Sequence, residues 1–294
     1  MISFTRKWLW LFLSTALFSC NSMREEVVPE ELTSQSTKLV VDCFISPQDS
    51  LLTAKVSRSR PILDDQSAKT VDISDATVLL SDGSNSVKLV YNAQQGVYSI
   101  KPQKLVVREG GTYTLTVSTP DGKQVLATTT VPKAVALKSM QVDSSLQAGA
   151  VQKDFRVIGN WQAGADTYFR VKGSYRGIRY GAPANASFEN PQVIPFLMAT
   201  NSLGLVECPA KAASLLASAS LGDGSFKKLY CSTQITMNLL HVDAAYYAYH
   251  VALDQQLQVS SNPFAEPVTL PTNIQGGLGC FGSYNQTSLS TVIK

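Results

Sequence analysis

Between Lys38 and Val131 apolar and polar residues alternate in short runs broken by turn residues. The runs are "KLVVDCFI" (38–45), "LLTAKVSR" (51–58), "ATVLLS" (76–81), "SVKLVY" (86–91), "GVYSI" (96–100), "TYTLTVS" (112–118) and "KQVLATTTV" (123–131). A period of two puts one face of a strand in a core and the other in solvent. Asp82-Gly83 and Asp121-Gly122 fall between such runs and mark tight turns. Seven short strands at this spacing predict an immunoglobulin-like β-sandwich over 38–133. Tyr113, where a late strand begins, is placed to pack at a corner and bond the backbone.

After Pro132 the pattern loosens, and a second β-rich domain is expected over 134–294. "DFRVIGNW" (154–161) and "DTYFRVKGSY" (166–175) read as a hairpin, and "KLYCSTQITMNL" (228–239) as a further strand. Between them, Arg176 to Ser225 is rich in Ala, Ser and Gly, and is assigned one or two strands and a short helix near Ala210 to Ala219. Then the period changes. Val242, Tyr246, Tyr249, Leu253 and Leu257 form one stripe of an amphipathic helix, about 242–258, with Asp243 as its cap. Glycine-rich strands follow around Leu278 to Tyr284 and Leu289 to Ile293. The expected class is mainly β: a sandwich, then a β-rich domain containing one amphipathic helix.

The N-terminus has a different character. Arg6 and Lys7 precede the apolar run Trp8 to Phe18, which is short for a membrane span. "LFSC", Leu17 to Cys20, then places a small residue before a cysteine, as in a bacterial lipobox. Residues 1–19 are therefore expected to be a lipoprotein signal peptide and Cys20 the acylated residue. Residues 20–37 then form the anchor and a polar stalk. Without 1–19 the formal charge falls from +3 to +1, and Lys and Arg are scattered, so nucleic acid is not an expected partner.

Near the C-terminus "NIQGGLGCFGSYN" contains Gly277, Gly279 and Gly282 at the spacing of a dinucleotide-binding loop. That reading requires a helix after the loop and an acidic residue about twenty positions on. Only twelve residues follow Gly282, and no Asp or Glu occurs after Glu266. The glycines are assigned instead to a bulge or a close backbone approach. His241 and His250, nine residues apart, do not match the i,i+4 spacing of a shared metal. No nucleophile elbow or phosphate loop is present. No cofactor, no metal and no catalytic residue are assigned, and the chain is read as a non-enzyme. Of the cysteines, Cys43 and Cys280 lie in strands and read as buried thiols. Cys208 and Cys231 flank the irregular stretch, and a disulfide between them would contribute about 3 kcal/mol; four cysteines permit three pairings.

"KLVVDCFISPQDSLLTAKVSRSRPI", "ISDATVLLSDGSNSVKL", "GGTYTLTVSTPDGKQVLATTTVP" and "NPFAEPVTLPTNIQGGLGCFGSYN" together resemble a Bacteroidota lipoprotein family, domain of unknown function 4249. The resemblance implies an outer-membrane lipoprotein, lipid-anchored at the cell surface or the periplasmic face and working beside a TonB-dependent transporter. It carries over no catalytic residue. The expected function is a non-enzymatic accessory or ligand-binding partner of such a transporter. The alternative is a surface adhesin or glycan-binding module, with Tyr175 and Tyr180 as candidate contacts.

Overall fold

The computed structural model describes residues 37–60, 71–146, 153–162, 164, 167–179, 181–183, 186–193, 207–210, 214–219, 230–259, 262, 264–266 and 268–293. The seven expected strands form within one residue of their predicted limits: β1 (Leu39–Ile45), β2 (Leu52–Arg58), β3 (Thr77–Ser81), β4 (Ser86–Asn92), β5 (Val97–Ile100), β6 (Thr112–Ser118) and β7 (Gln124–Thr130). Alternation drives them. In β1 the odd positions Leu39, Val41, Cys43 and Ile45 are buried in the first core, while the even positions face the other way.

β1, β2, β5 and the end of β4 form one layer, and the start of β4, β3, β6 and β7 form the other. β4 crosses between the layers, because Ser86–Leu89 pair with β3 and Val90–Asn92 with β5. This is the strand order of an immunoglobulin-like sandwich. Tyr113 makes the corner: its hydroxyl donates to Val106 O (3.0 Å) and accepts from Arg108 N (2.8 Å). Tyr98, on β5, closes a second loop through Ile73 O (2.9 Å) and Ala76 N (2.8 Å).

The second half has its own pair of layers. β8 (Leu137–Leu146), β9 (Lys153–Trp161) and β13 (Ser214–Ala219) make a three-stranded sheet in the order β13-β9-β8. It packs on β10 (Tyr168–Arg179), β14 (Tyr230–Val242) and β15 (Leu278–Ile293), through Trp161, Val157, Phe169, Val171, Met237 and Leu239. β11 (Gln192–Val193) and β12 (Glu207–Ala210) line the outer edge of β10.

The structure departs from two local expectations. β9 and β10 are not a hairpin: β9 pairs with β8 and β13, β10 with β14. The chain crosses between layers after Trp161, whose ring then meets Phe169 across the core at 5.7 Å. The helix expected near Ala210 to Ala219 is instead the end of β12 and the strand β13, which pairs antiparallel with β9. The predicted amphipathic helix is present as α1 (Ala244–Val259), with its buried line at Tyr246, Tyr249 and Ala252. Leu257 falls off that line and is 63% exposed.

β15 joins the two halves. Its first part, Leu278–Ser283, pairs in parallel with β1, and its second, Tyr284–Ile293, antiparallel with β14. Phe281 is in the first core, and Leu289 and Ile293 pack against the second. One sheet therefore runs across the boundary drawn at residue 133.

Candidate functional site

The glycine motif lies where β1, β15 and α1 meet. Gly277 precedes β15, and Gly279 and Gly282 lie within it, so the motif opens no helix. Gly279 has φ +99°, and a Cβ there would run into the Val41 backbone. At Gly282 a Cβ would lie 2.9 Å from Tyr246 Cβ and 3.2 Å from Tyr246 Cα. This glycine lets α1 settle on the strand.

Even-numbered residues of β1, β10, β14 and β15 share the face that α1 covers. Phe44 stands at the centre of that contact, with ring centroids 5.1 Å from Tyr246 and 4.8 Å from His250, and Tyr246 stacks on His250 at 4.1 Å. The hydroxyl of Tyr249 donates to Asp42 Oδ1 at 2.8 Å. Burial, then the Asp42 carboxylate, push its phenol above the usual range. Arg170, 1% exposed, reaches from β10 to Asp254 on α1 (Nη2–Oδ2, 2.8 Å).

Asp243 caps the helix and ties it to both halves. One carboxylate oxygen accepts from Tyr246 N (2.7 Å), as at a helix N-cap. The other accepts from Ser283 N (2.6 Å) and the hydroxyl of Thr129 on β7, and lies 3.0 Å from Ser283 Oγ. Cys43 and Cys280 are buried free thiols, and burial first, then nearby Asp carboxylates, hold both as neutral thiols. That setting makes packing groups of them.

Past the helix the same sheet face carries three rows, polar except for Val292: Lys172, Asn238 and Ser288; Ser174, Thr236 and Ser290; Arg176, Gln234 and Val292. Ser288 Oγ donates to Asn238 Oδ1 (2.7 Å), and Thr236 and Ser290 share a hydrogen bond of 2.8 Å. Arg176 Nε donates to Gln234 Oε1 (2.5 Å), with its guanidinium 5.3 Å from the Phe188 ring. At the near end Tyr284 donates to Asp49 Oδ1 (2.6 Å), and Lys172 Nζ lies 5.7 Å from the Tyr284 ring. Val40 is level with Leu278, so at about 3.3 Å per residue along β15 the rows lie about 36 to 50 Å from the start of β1 at Leu39.

The residues singled out by sequence fall in different places. Cys20 and Tyr180 lie outside the described residues. Tyr175 faces the second core, so it is a packing residue. The backbones of Cys208 and Cys231 flank β10 on opposite sides. Cys208 is opposite Val171, and the neighbour of Cys231, Ser232, is opposite Ile178. A disulfide needs Cα atoms within about 7 Å, and this ladder does not bring the two together; their side chains lie outside the described residues. His241 bonds Lys133 O through Nδ1 (2.7 Å), and His250 bonds Tyr246 O (2.9 Å). Sequence reading identified Asp243 as a cap and missed its second role, because Thr129 and Ser283 are remote in the chain. Among the described residues no group of three His, Cys, Asp or Glu is placed to hold a metal.

These features define a mainly β protein with an immunoglobulin-like sandwich and a β-sandwich extension sharing one strand. The chain belongs to the family described as domain of unknown function DUF4249, which matches residues 24–290. No curated protein matches it. Among solved structures it is similar to Escherichia coli alpha-2-macroglobulin activated by porcine elastase, at 11% identity and a TM-score of 0.22. That likeness covers 71% of this chain and 19% of the macroglobulin chain.

Proposed function

We propose that the chain is a non-enzymatic lipoprotein, anchored in the outer membrane through Cys20, that serves a TonB-dependent transporter as accessory or ligand-binding partner. One observation carries the reading. The lipobox cysteine is separated by the polar segment 21–37 from a body whose first strand starts at one end of the sheet, and the polar rows lie at the far end. In this reading the acyl chains tether the body, and the rows offer a hydrogen-bonding surface to a ligand or partner. Acyl chains bind by burying methylenes, about 0.8 kcal/mol each. No described helix is long and apolar enough to cross a membrane.

Native outer membranes from cells carrying a tagged chain test this reading. A stoichiometric transporter should co-purify, and Cys20→Ala should release the protein to the soluble fraction. If Cys20→Ala left the protein in the membrane fraction, the anchor would be refuted; if no transporter co-purified, the partnership would be. The second reading, a glycan-binding or adhesin module, is favoured by the rows of hydroxyl and amide groups on β10, β14 and β15. Glycan binding without a transporter, lost in an Asn238→Ala, Ser288→Ala double variant, would select it.

A further inference from the structure

The far half of β15 has an open edge. β1 pairs with β15 only as far as Ser283, and among the described residues no strand pairs with that edge from Tyr284 to Ile293. Backbone groups alternate between the two edges of a strand. Ser283 O accepts from Asp243 N on the β14 side, whereas Gln286 N points to the β1 side and donates to Gln48 Oε1 (3.0 Å). Gln286, Ser288, Ser290 and Val292 therefore turn their N–H and C=O groups to the open edge.

Where pairing stops elsewhere along β15, amide side chains take over. Asn273 bonds both Phe281 N (2.9 Å) and Phe281 O (2.7 Å) on the β14 side, and Gln48 serves Gln286 on the other. Among the described residues nothing comparable reaches Ser288, Ser290 or Val292. Natural sheets guard such edges with Lys, Pro or bulges. The segment "NQTSLSTVI", Asn285–Ile293, has no charge, no proline and no glycine. Below it the second core is unsealed: Leu289 and Ile293 on β15, and Met140 and Val142 on β8, are only partly buried.

We propose that this edge is a β-augmentation site for an extended segment of a partner protein, hydrogen-bonded to Ser288, Ser290 and Val292. The slot starts where the Gln48 cap ends and spans Thr287–Ile293, seven residues. Its chemistry follows from the two faces. Partner side chains beside Leu289, Thr291 and Ile293 are apolar and close the seam above Met140 and Val142. Those beside Ser288 and Ser290 are uncharged and polar. A second copy fits less well, because like edges pair antiparallel about a twofold axis. The two Lys38 ends, and the lipid anchors beyond them, would then lie at opposite ends of the joined sheet. That choice of occupant rests on the lipid-anchor reading; the open edge does not.

The test uses the full chain in detergent, titrated with the uncharged peptide Thr-Val-Thr-Val-Thr-Val-Thr while amide hydrogen exchange is followed. Saturable binding should slow exchange at Ser288, Ser290 and Val292. Ser290→Pro removes one edge donor and no β14 bond, so it should weaken binding about tenfold with little change in thermal midpoint. Ser290→Ala should bind normally. The exchange readout on the unmutated chain stands whatever the proline variant does. Absence of saturable binding would overturn the proposal, as would slow exchange at these amides in the dilute, peptide-free chain. Slow exchange that rises with protein concentration alone would assign the edge to a second copy and overturn it too. Failure of the Cys20→Ala fractionation would leave the peptide titration unaffected, so the two readings fail separately.

Discussion

Asp243 and Ser283 are bonded through both backbone and side chain. Asp243 N donates to Ser283 O (3.0 Å), Ser283 N donates to Asp243 Oδ2 (2.6 Å), and the Ser283 hydroxyl lies 3.0 Å from the same oxygen. With Thr129 on the third side, this contact joins the helix cap, the shared strand and the first sandwich.

Asp243→Ala is expected to cost about 2 to 4 kcal/mol, the loss of an N-cap together with buried partners left unsatisfied. Asp243→Asn keeps an acceptor for Tyr246 N and should recover part of it. Denaturant unfolding of the three proteins checks the order.

Gly282→Ala places a methyl 2.9 Å from Tyr246 Cβ and 3.2 Å from Tyr246 Cα, atoms that move only with the helix. The expected cost is about 1 to 3 kcal/mol from overpacking. Amide exchange should show α1 loosening before the β6–β7 hairpin does. Equal loosening in both would contradict a local role.

Asp254→Asn leaves the Arg170 charge, 1% exposed, without its carboxylate neighbour. Breaking one member of a buried pair costs about 3 to 5 kcal/mol. A double variant with Arg170→Met should recover much of the loss, which thermal unfolding measures.

Asp49 carries a pH signature. Burial raises its carboxyl above the usual value, outweighing the hydrogen bond from Tyr284. A raised folded-state value means the favourable contribution is complete below the unfolded value, about 3.9. It is lost as pH rises through the folded one. At neutral pH the ionised group is therefore a net burden. Asp49→Asn should be at least as stable as the parent at pH 7, with its relative advantage shrinking on acidification through the carboxylate range. A parent more stable than the variant at pH 7 would contradict the sign.

Much of the first sandwich was legible because each strand carries its own period. Leu39, Val41, Cys43 and Ile45 announce a buried face without reference to any partner, and Asp82-Gly83 announces a turn. The second half was less legible. The segments at 154–161 and 166–175 alternate equally well as a hairpin or as members of facing sheets. Trp161 and Phe169 belong to opposite layers, which no local pattern records. Tyr175 looked available for a ligand, but its strand position turns it into the core.

The glycine motif shows the same division at one site. Gly279 and Gly282 lie within a strand and the motif opens no helix, so it is not a dinucleotide loop. That Gly282 makes room for Tyr246, and that Gly279 passes Val41 with φ +99°, came from the meeting of β1, α1 and β15. Side-chain periodicity is a local property, so the sequence by itself determined the strands of the first sandwich and the helix. Strand pairing uses backbone groups that are alike at every residue. Only the packed tertiary structure therefore decided that β15 would join β1 to β14 and leave its far edge open.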